Sequence, residues 1–192
     1  MIKSPKSRKY ILKLCMLGDG GVGKSTFVER LATGRFNNAT KMTIGIDFQL
    51  IHLVLDDDKE EPIKVDVAVW DLGGESQFRF ILPHYITGAD GALLLFDLSR
   101  IRTIDNLSEW VSIWKQNTHK NTPLYLIGAK HDTLNEHFKP ILDSNIQDLK
   151  TKLEISKHYL TSSKTGTMVN EVITSMAKDM LEFKSKIANS SI

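Results

Sequence analysis

Residues 18–25, in the order Gly-Asp-Gly-Gly-Val-Gly-Lys-Ser, have a composition and spacing that can hold a phosphate group. Glycines let a loop curl so that successive backbone N–H groups point at one anion, and a helix that begins where the loop ends adds partial positive charge. A lysine placed here can reach the outer phosphates of a nucleotide, and the hydroxyl beside it can ligate Mg2+. We therefore predict a phosphate site with Lys24 also in a catalytic role and Ser25 as a metal ligand, formed by Asp19, Gly20, Gly21, Val22, Gly23, Lys24, Ser25 and Thr26.

A second acidic position lies where another apolar segment ends. Asp71 directly follows the apolar run 63–70. Open α/β sheets bind their ligands at the carboxyl ends of strands. Together with the phosphate loop, this position predicts that Asp71 contacts Mg2+ through a water molecule. Without that loop, an ordinary turn at the end of a strand would be as good an interpretation.

The apolar pattern predicts alternating strands and helices. Apolar, β-branched runs predict six strands, over 10–17, 43–55, 63–70, 91–97, 123–129 and 158–162. Apolar residues that recur every three or four positions predict helices over 104–114 and 169–183. The phosphate loop should open a further helix over about 24–32. Continuous apolar strands suit a parallel sheet that is covered on both faces. The polar connection 56–62 is too short for a crossover helix, so its two strands should pair as an antiparallel hairpin.

The predicted fold is therefore a doubly wound α/β fold, with a mostly parallel six-stranded sheet and one antiparallel hairpin at its edge. With 192 residues, 41% of them hydrophobic and 25% charged, the chain lies well away from the composition of disordered proteins. We expect one domain over 10–185, between a basic flexible tail at 1–9 and a flexible tail at 186–192. The one cysteine, Cys15, cannot form an internal disulfide, which favours a reducing, cytoplasmic setting.

Membrane anchors and nucleic-acid binding are not expected. No apolar stretch approaches the roughly 20 residues that a membrane-spanning helix needs. Ile2 stands where myristoylation requires glycine, and residues 189–192 contain no cysteine for prenylation. Five basic residues precede the first acidic one, Asp19, so the N-terminal tail is either simply solvated or in weak contact with anionic lipid or a partner. Membrane contact would then be indirect or through this tail. No basic stripe accompanies the tryptophans, which argues against nucleic acid.

Several segments occur in the order that is found in Ras-like small GTPases. These are the phosphate loop, Thr-Ile-Gly-Ile-Asp-Phe at 43–48, Trp-Asp-Leu-Gly-Gly at 70–74, and the segment 106–110. Over about residues 10–185 the chain resembles this superfamily of P-loop proteins, particularly its Rab branch. The resemblance implies GTP and GDP as ligands and Mg2+ as cofactor. It further implies that Thr43 ligates Mg2+ and senses the γ-phosphate, and that Gly74 donates its N–H to that phosphate.

The same resemblance assigns the contacts to the base. Asp132 and Lys130 stand where the family has an Asn-Lys-x-Asp element, and Asp132 can accept two guanine N–H donors that adenine does not offer. Ala129 departs from the pattern, which removes amide hydrogen bonds worth about 1 kcal/mol each. Ser162-Ser163-Lys164 resembles the loop whose backbone contacts the guanine oxygen. Phe36 stands where the family places an aromatic ring against guanine, with a core position as the alternative.

Glu75 is the departure that concerns catalysis. The family has a glutamine at this position, and a carboxylate cannot donate a hydrogen bond to the phosphoryl oxygen unless it is protonated. Its charge also repels the γ-phosphate, so we expect slow intrinsic hydrolysis. Gln77 could take the place of the family's glutamine only if the loop shifted. The segment between Phe36 and Thr43 contains no arginine that could neutralise charge in the transition state.

The leading interpretation is a cytoplasmic GTPase switch in signalling or membrane traffic, with peripheral recruitment to membranes as an option. The resemblance implies effectors, an exchange factor and an activating protein that contact 37–47 and 73–85. An alternative is a GTP-binding scaffold that hardly hydrolyses its nucleotide. A P-loop ATPase or kinase is disfavoured by Asp132. Leu72-Gly73 is closer to Arf-like or divergent branches than to Ras and Rab, whereas Ile2 argues against Arf itself.

Overall fold

Six strands form one sheet in a computed structural model of the chain, which describes residues 9–38, 42–56, 62–134, 139–155 and 157–190. The six predicted strands are all present, with small shifts at their ends. The second begins three residues later than predicted, so Thr43 lies outside it in the preceding loop. The strands are β1 (Lys9–Leu17), β2 (Ile46–Leu55), β3 (Ile63–Leu72), β4 (Gly91–Asp97), β5 (Leu124–Ala129) and β6 (Lys157–Leu160).

The order of the strands is β2-β3-β1-β4-β5-β6. All neighbours are parallel except β2 and β3, which pair antiparallel with Ile46 opposite Leu72 and Leu55 opposite Ile63. The predicted edge hairpin is confirmed, although its turn at 57–61 lies outside the described residues, as do 1–8 of the N-terminal tail. The mostly parallel doubly wound fold is confirmed as well.

Five α-helices accompany the sheet in the described part of the chain: α1 (Lys24–Thr33), α2 (Leu82–Ile86), α3 (Leu107–Asn117), α4 (Lys139–Leu153) and α5 (Val169–Ser190). The sequence did not predict α2, which is a single turn, or α4. The last helix continues to Ser190, past the predicted start of a tail at residue 186, and Lys186 and Ala188 are good helix formers.

The helices cover both faces of the sheet. On one face, α1 and α5 pack on the sheet through Phe27, Val172 and Met176. On the other face, α2, α3 and α4 pack through Ile86, Trp110 and Ile146. Both tryptophans of α3, Trp110 and Trp114, are buried and pack in the core on this face.

The carboxyl ends of β1 and β3 meet at the same edge of the sheet, because the two strands are parallel. The phosphate loop follows β1, and Asp71 is the penultimate residue of β3 and is buried. The topology therefore brings the two predicted parts of the site together. Among the described residues, no helix combines the length and apolar composition that crossing a membrane requires.

Candidate functional site

The phosphate loop has a backbone that only glycine adopts easily. Gly18, Gly21 and Gly23 have φ angles of 127°, 70° and 109°, which side chains strongly disfavour. A Cβ on Gly18 would lie 2.3 Å from the carbonyl oxygen of Leu95 in β4. The helix that follows has neither a capping side chain nor an acidic residue in its first turn. Its N-terminal N–H groups and partial positive charge are therefore available to an anion.

Lys24 lies folded back over this loop. Its Nζ donates to the carbonyl oxygens of Gly18 at 2.7 Å and Asp19 at 3.0 Å. The residue is only 5% exposed. Burial lowers the pKa of the Lys24 ammonium to about 8, against the opposing effect of the carboxylates of Asp71 and Asp19. An anion that binds in the loop would supply a negative counter-charge to this buried ammonium and would favour its protonated form.

Three oxygen-bearing side chains meet beside Lys24. The Ser25 and Thr43 hydroxyl oxygens lie 2.6 Å apart, and both bond to Oδ2 of Asp71, with Thr43 at 3.2 Å. The other oxygen, Asp71 Oδ1, is buried and has no hydrogen-bond partner among the described residues. Burial raises the pKa of Asp71, and the bond from Ser25 opposes that rise.

These donors fit Mg2+, which takes a few protein oxygens and keeps several waters. A hydrated ion would give the orphaned Oδ1 a partner and would stabilise the buried carboxylate in its charged form. The described residues contain no group of three His, Cys, Asp or Glu side chains that could hold a metal without further ligands. A nucleotide phosphate could supply further oxygen ligands to a cation here.

Gly73 and Gly74 lie where two loops meet the phosphate loop. A Cβ on Gly74 would lie 2.3 Å from the carbonyl carbon of Asp19. The Gly73 N–H donates to the carbonyl oxygen of Gly45 at 2.8 Å. The loop before β2 and the loop after β3 are therefore joined to each other at the edge of the phosphate site.

A cavity of about 520 Å3 opens next to these groups. Phe36, 37% exposed, lies in its wall. Of the predicted nucleotide-binding residues, Asp19, Val22 and Ser162 do not line it, and Val22 is fully buried. Those that do are Gly20, Gly21, Gly23, Lys24, Ser25, Thr26, Phe36, Thr43, Gly74, Lys130, Asp132, Ser163 and Lys164.

Asp132 also lines the cavity. Its Oδ1 accepts a hydrogen bond from the Ser162 hydroxyl at 2.5 Å, and Lys164 Nζ lies 3.9 Å from its Oδ2. Ser162 is itself buried, so its hydroxyl fixes the position of the Asp132 carboxylate. Ala129 also lines the cavity. A carboxylate held in this way can accept N–H donors from a flat ring that enters the cavity.

Glu75 lies just outside the cavity, before a 3-10 helix at Ser76–Ile81. Its Oε2 accepts a hydrogen bond from the amide of Gln77 at 2.6 Å. Glu75 stands where the family has a glutamine, and Gln77 is the nearest residue that could replace that glutamine. Its side-chain amide is bound to Glu75 instead.

Arg79 is a functional candidate that sequence reasoning missed. Its guanidinium pairs with Glu109, lies 5.2 Å from the centre of the Trp110 ring, and approaches Asp19 Oδ1 at 3.3 Å. The Asp19 carboxylate also accepts hydrogen bonds from Trp110 and Asn106 of the α3 region. Asp19 is thus turned away from the cavity and links the phosphate loop to the loop that carries Glu75.

Asp97 and Arg100 were also missed. Asp97 ends β4 and is fully buried, while Arg100 lies in the following turn. The position of Asp97 at the carboxyl end of an apolar strand, like that of Asp71, was the available signal.

Exposed apolar side chains lie in the two predicted partner segments and directly after the first of them. Ile44 is 81% exposed, Phe80 76% and Phe48 50%. Phe48 contacts Trp70 with ring centres 5.5 Å apart, and Trp70 contacts Tyr85 at 5.7 Å. Residues 39–41 of the first segment and the side chain of Phe78 lie outside what the structure describes. These exposed apolar side chains lie next to both loops of the candidate site.

Comparison with known proteins agrees with this geometry. A sequence model of the Ras family matches residues 13–182. The chain is 33% identical to Ras-related protein RAB1BV of Beta vulgaris, over 94% of this chain and 80% of the relative. It is 33% identical to GTP-binding protein ypt2 of Schizosaccharomyces pombe, over 94% and 86%, and 31% identical to Ras-related protein Rab-13 of Mesocricetus auratus, over 92% and 83%.

Proposed function

The chain belongs to the Ras family, and from that membership we propose that it is a GTPase that switches between a GTP-bound and a GDP-bound state. The observation that carries the proposal is the meeting of a phosphate loop, a hydroxyl pair beside Asp71, and Asp132 around one cavity. Phosphates, cation and base would each find complementary groups there.

The phosphates bind at the glycine loop and the N-terminus of α1. Lys24 leaves the carbonyl oxygens of Gly18 and Asp19 to contact the β- and γ-phosphates, in agreement with its buried position. The guanine lies between Phe36 and Lys130, with its N–H donors on Asp132. Since adenine cannot make the last contact, guanine nucleotides are preferred over ATP.

Ser25 and Thr43 would ligate Mg2+, and Asp71 would contact the ion through a water molecule. When bound, the ion neutralises charge on the phosphates and on the transferred phosphoryl group. Thr43 and the N–H of Gly74 come from the two loops that meet at Gly45 and Gly73. A γ-phosphate would hold both loops in place, and its loss would release them. This is the proposed basis of switching.

Hydrolysis is slow in the isolated protein. Phosphoryl transfer depends on an oriented water and on neutralised charge, and Glu75 adds negative charge where a donor is needed. The contact between Gln77 and Glu75 keeps the nearest amide in the same loop occupied. A partner that brings a cation or realigns this loop would accelerate the reaction.

The partners bind across 37–47 and 73–85. Ile44, Phe48 and Phe80 offer exposed apolar anchors. Ile44 lies in the loop before β2, Phe48 near the start of β2, and Phe80 in the 3-10 helix after β3. Effectors, an exchange factor and an activating protein can all use such a surface. We place the protein in the cytoplasm, with any membrane contact indirect or through the basic N-terminal tail.

A second candidate is a scaffold that holds GTP without turning it over. Glu75 and Ala129 favour it, because one weakens catalysis and the other removes amide contacts. Intact Lys24, Ser25 and Asp71 are equally compatible with it, so nucleotide binding is common to both candidates.

The test is single-turnover GTP hydrolysis with Mg2+, measured beside binding titrations with GDP, GTP and ATP. Guanine-selective binding with slow but measurable hydrolysis supports the switch. Selective binding without hydrolysis favours the scaffold. Equal binding of ATP and GDP, or no nucleotide binding at all, would reject both.

A further inference from the structure

The carboxylate of Asp97 is the centre of a buried hydrogen-bond cluster behind the phosphate loop. Its Oδ1 accepts bonds from the backbone N–H and the hydroxyl of Ser99, at 2.9 and 2.6 Å. Its Oδ2 accepts bonds from Lys130 Nζ at 2.7 Å and Arg100 Nε at 2.8 Å. Burial on its own would raise the pKa of Asp97, but the bonds from Lys130, Ser99 and Arg100 outweigh it and hold the pKa below its usual value. Asp97 is therefore a charged anchor for two cations.

Both cations also reach the phosphate loop, at consecutive carbonyl groups. Arg100 Nη2 donates to the carbonyl oxygen of Gly20 at 3.2 Å, and Lys130 Nζ donates to that of Gly21 at 3.2 Å. The guanidinium lies against Gly21, where an added Cβ would be 3.3 Å from Nη2. Arg100 is not among the residues that line the cavity. It contacts the loop from behind.

The direction of the Arg100 bond decides where one donor of the loop points. In a planar trans peptide the C=O and N–H groups point in opposite directions. Because Arg100 does not line the cavity, its bond holds the Gly20 carbonyl on the side away from the cavity, and the N–H of Gly21 in the same peptide is turned toward it. This is a donor that a phosphate-binding loop needs to present.

We propose that Arg100, anchored on Asp97, is a positioning residue that braces the phosphate loop for nucleotide binding. It performs part of the bracing that an amide at position 129 would give, since Ala129 has no side chain that could tie the base loop to the phosphate loop. The inference rests on the proposed guanine-nucleotide site and adds a determinant of its affinity.

An arginine is suited to this role because it has separate donors on one rigid group. Nε takes the Asp97 carboxylate while Nη2 takes the Gly20 carbonyl. A lysine is a single point charge that cannot reproduce the two-point contact. A lysine in place of Arg100 would keep the charge near the loop but lose the brace.

The experiment measures GDP dissociation from the full chain with Mg2+, for wild type, Arg100→Met, Arg100→Lys and Arg102→Met. Arg102 is an exposed arginine of the same turn, so its variant removes the same charge. Because Arg100 is 50% exposed, its replacement should not prevent folding. We expect GDP release from Arg100→Met to be about five- to twentyfold faster, from the loss of charge-assisted hydrogen bonds that are partly screened. We expect Arg100→Lys to recover less than half of this effect and Arg102→Met to match wild type.

A second readout separates bracing of the loop from general damage. GMP lacks the β-phosphate, so its affinity, measured by competition, should change less than that of GDP in Arg100→Met. Equal losses for GMP and GDP would overturn the proposal, as would full recovery by lysine, which would indicate a role of charge alone. Unchanged GDP release together with slower single-turnover GTP hydrolysis would make Arg100 a catalytic cation instead.

The two proposals fail in different ways. If wild type binds GDP and Arg100→Met releases it at the wild-type rate, only the brace is rejected. If wild type does not bind GDP, the proposed function is rejected and the brace with it.

Discussion

The hydroxyl oxygens of Ser25 and Thr43 lie 2.6 Å apart, although they come from the start of α1 and from the loop before β2. The same Asp71 oxygen accepts a bond from each of them. The two hydroxyls and the carboxylate lie close enough together to act as oxygen ligands of a single ion that enters between them. The first helix is fixed by the sheet, whereas the loop that carries Thr43 is held at the site by few contacts, such as that between Gly45 and Gly73.

This difference predicts separate effects of the two hydroxyls. Ser25→Ala should weaken Mg2+ binding with GDP and with GTP, because Ser25 lies on the fixed helix α1 and can ligate the ion in both states. Thr43→Ala should weaken it only with a non-hydrolysable GTP analogue, by about tenfold for a loss on the order of 1.4 kcal/mol. Mg2+ titration of nucleotide release measures both effects. A Thr43→Ala protein that loses Mg2+ affinity equally with GDP would contradict the assigned role, and Thr43→Ser should behave as wild type.

The replacement Glu75→Gln should accelerate hydrolysis. It removes a negative charge near the γ-phosphate and restores a donor, and two effects of about 1 kcal/mol each predict a rate increase of about thirtyfold. Single-turnover GTP hydrolysis without a partner is the measurement. Glu182→Gln, at an exposed position of α5, removes the same charge elsewhere and should leave the rate unchanged. A slower Glu75→Gln enzyme would show that the carboxylate itself assists the reaction.

The strands were predictable because each is a continuous apolar run. Residues 92–96 of β4 are all fully buried, as a strand covered on both faces requires. The fourth α-helix was missed because its signal is weak: among its side chains that the structure describes, only Ile146 and Leu153 are fully buried. The remaining residues are largely polar, and such a surface helix depends on tertiary packing that a local pattern does not reveal.

The site was predictable where its chemistry is contiguous in sequence. Residues 18–26 are recognisable from the spacing of their glycines and of Lys24 and Ser25. Once this loop is recognised, the position of Asp71 at the end of a strand predicts a second part of the site. The cluster around Asp97 has no such rule, because Asp97 pairs with Ala129 across two parallel strands. That register brings Lys130 to a carboxylate 33 residues earlier in the chain. A long-range contact of this kind exists only after the sheet has formed.

Nucleotide binding should be linked to proton uptake at Lys24. Its pKa of about 8 in the free protein should rise when phosphate provides a counter-charge, so GDP binding near pH 8 should take up about half a proton per nucleotide. Affinity should fall as pH rises from 7 to 9, by about tenfold, because the fraction of charged Lys24 in the free protein falls by about that factor. Calorimetry in buffers of different ionisation enthalpy measures the uptake directly.

Lys24→Arg is the matched variant, since arginine stays charged throughout this range. It should show no proton uptake and a flat affinity between pH 7 and 9. Uptake that persists in this variant would assign the proton to another group.

The last prediction concerns Ala129, which lies at the junction of the base loop and the phosphate loop. A Cβ on Gly23 would be 3.9 Å from the Ala129 Cβ, so an amide at position 129 can reach both the loop and the base. We expect Ala129→Asn to slow GDP release about fivefold, as one added hydrogen bond of about 1 kcal/mol would do. Ala129→Val fills similar space without an amide and should bring no gain.

The same substitution should also reduce the dependence on Arg100. If an amide at 129 and the Arg100 guanidinium hold the same loop, each should matter less when the other is present, and their effects should not add. Arg100→Met should therefore accelerate GDP release less in the Ala129→Asn background than in wild type. Effects that multiply without coupling would mean that the two residues act on GDP independently, and that Arg100 does not compensate for the missing amide.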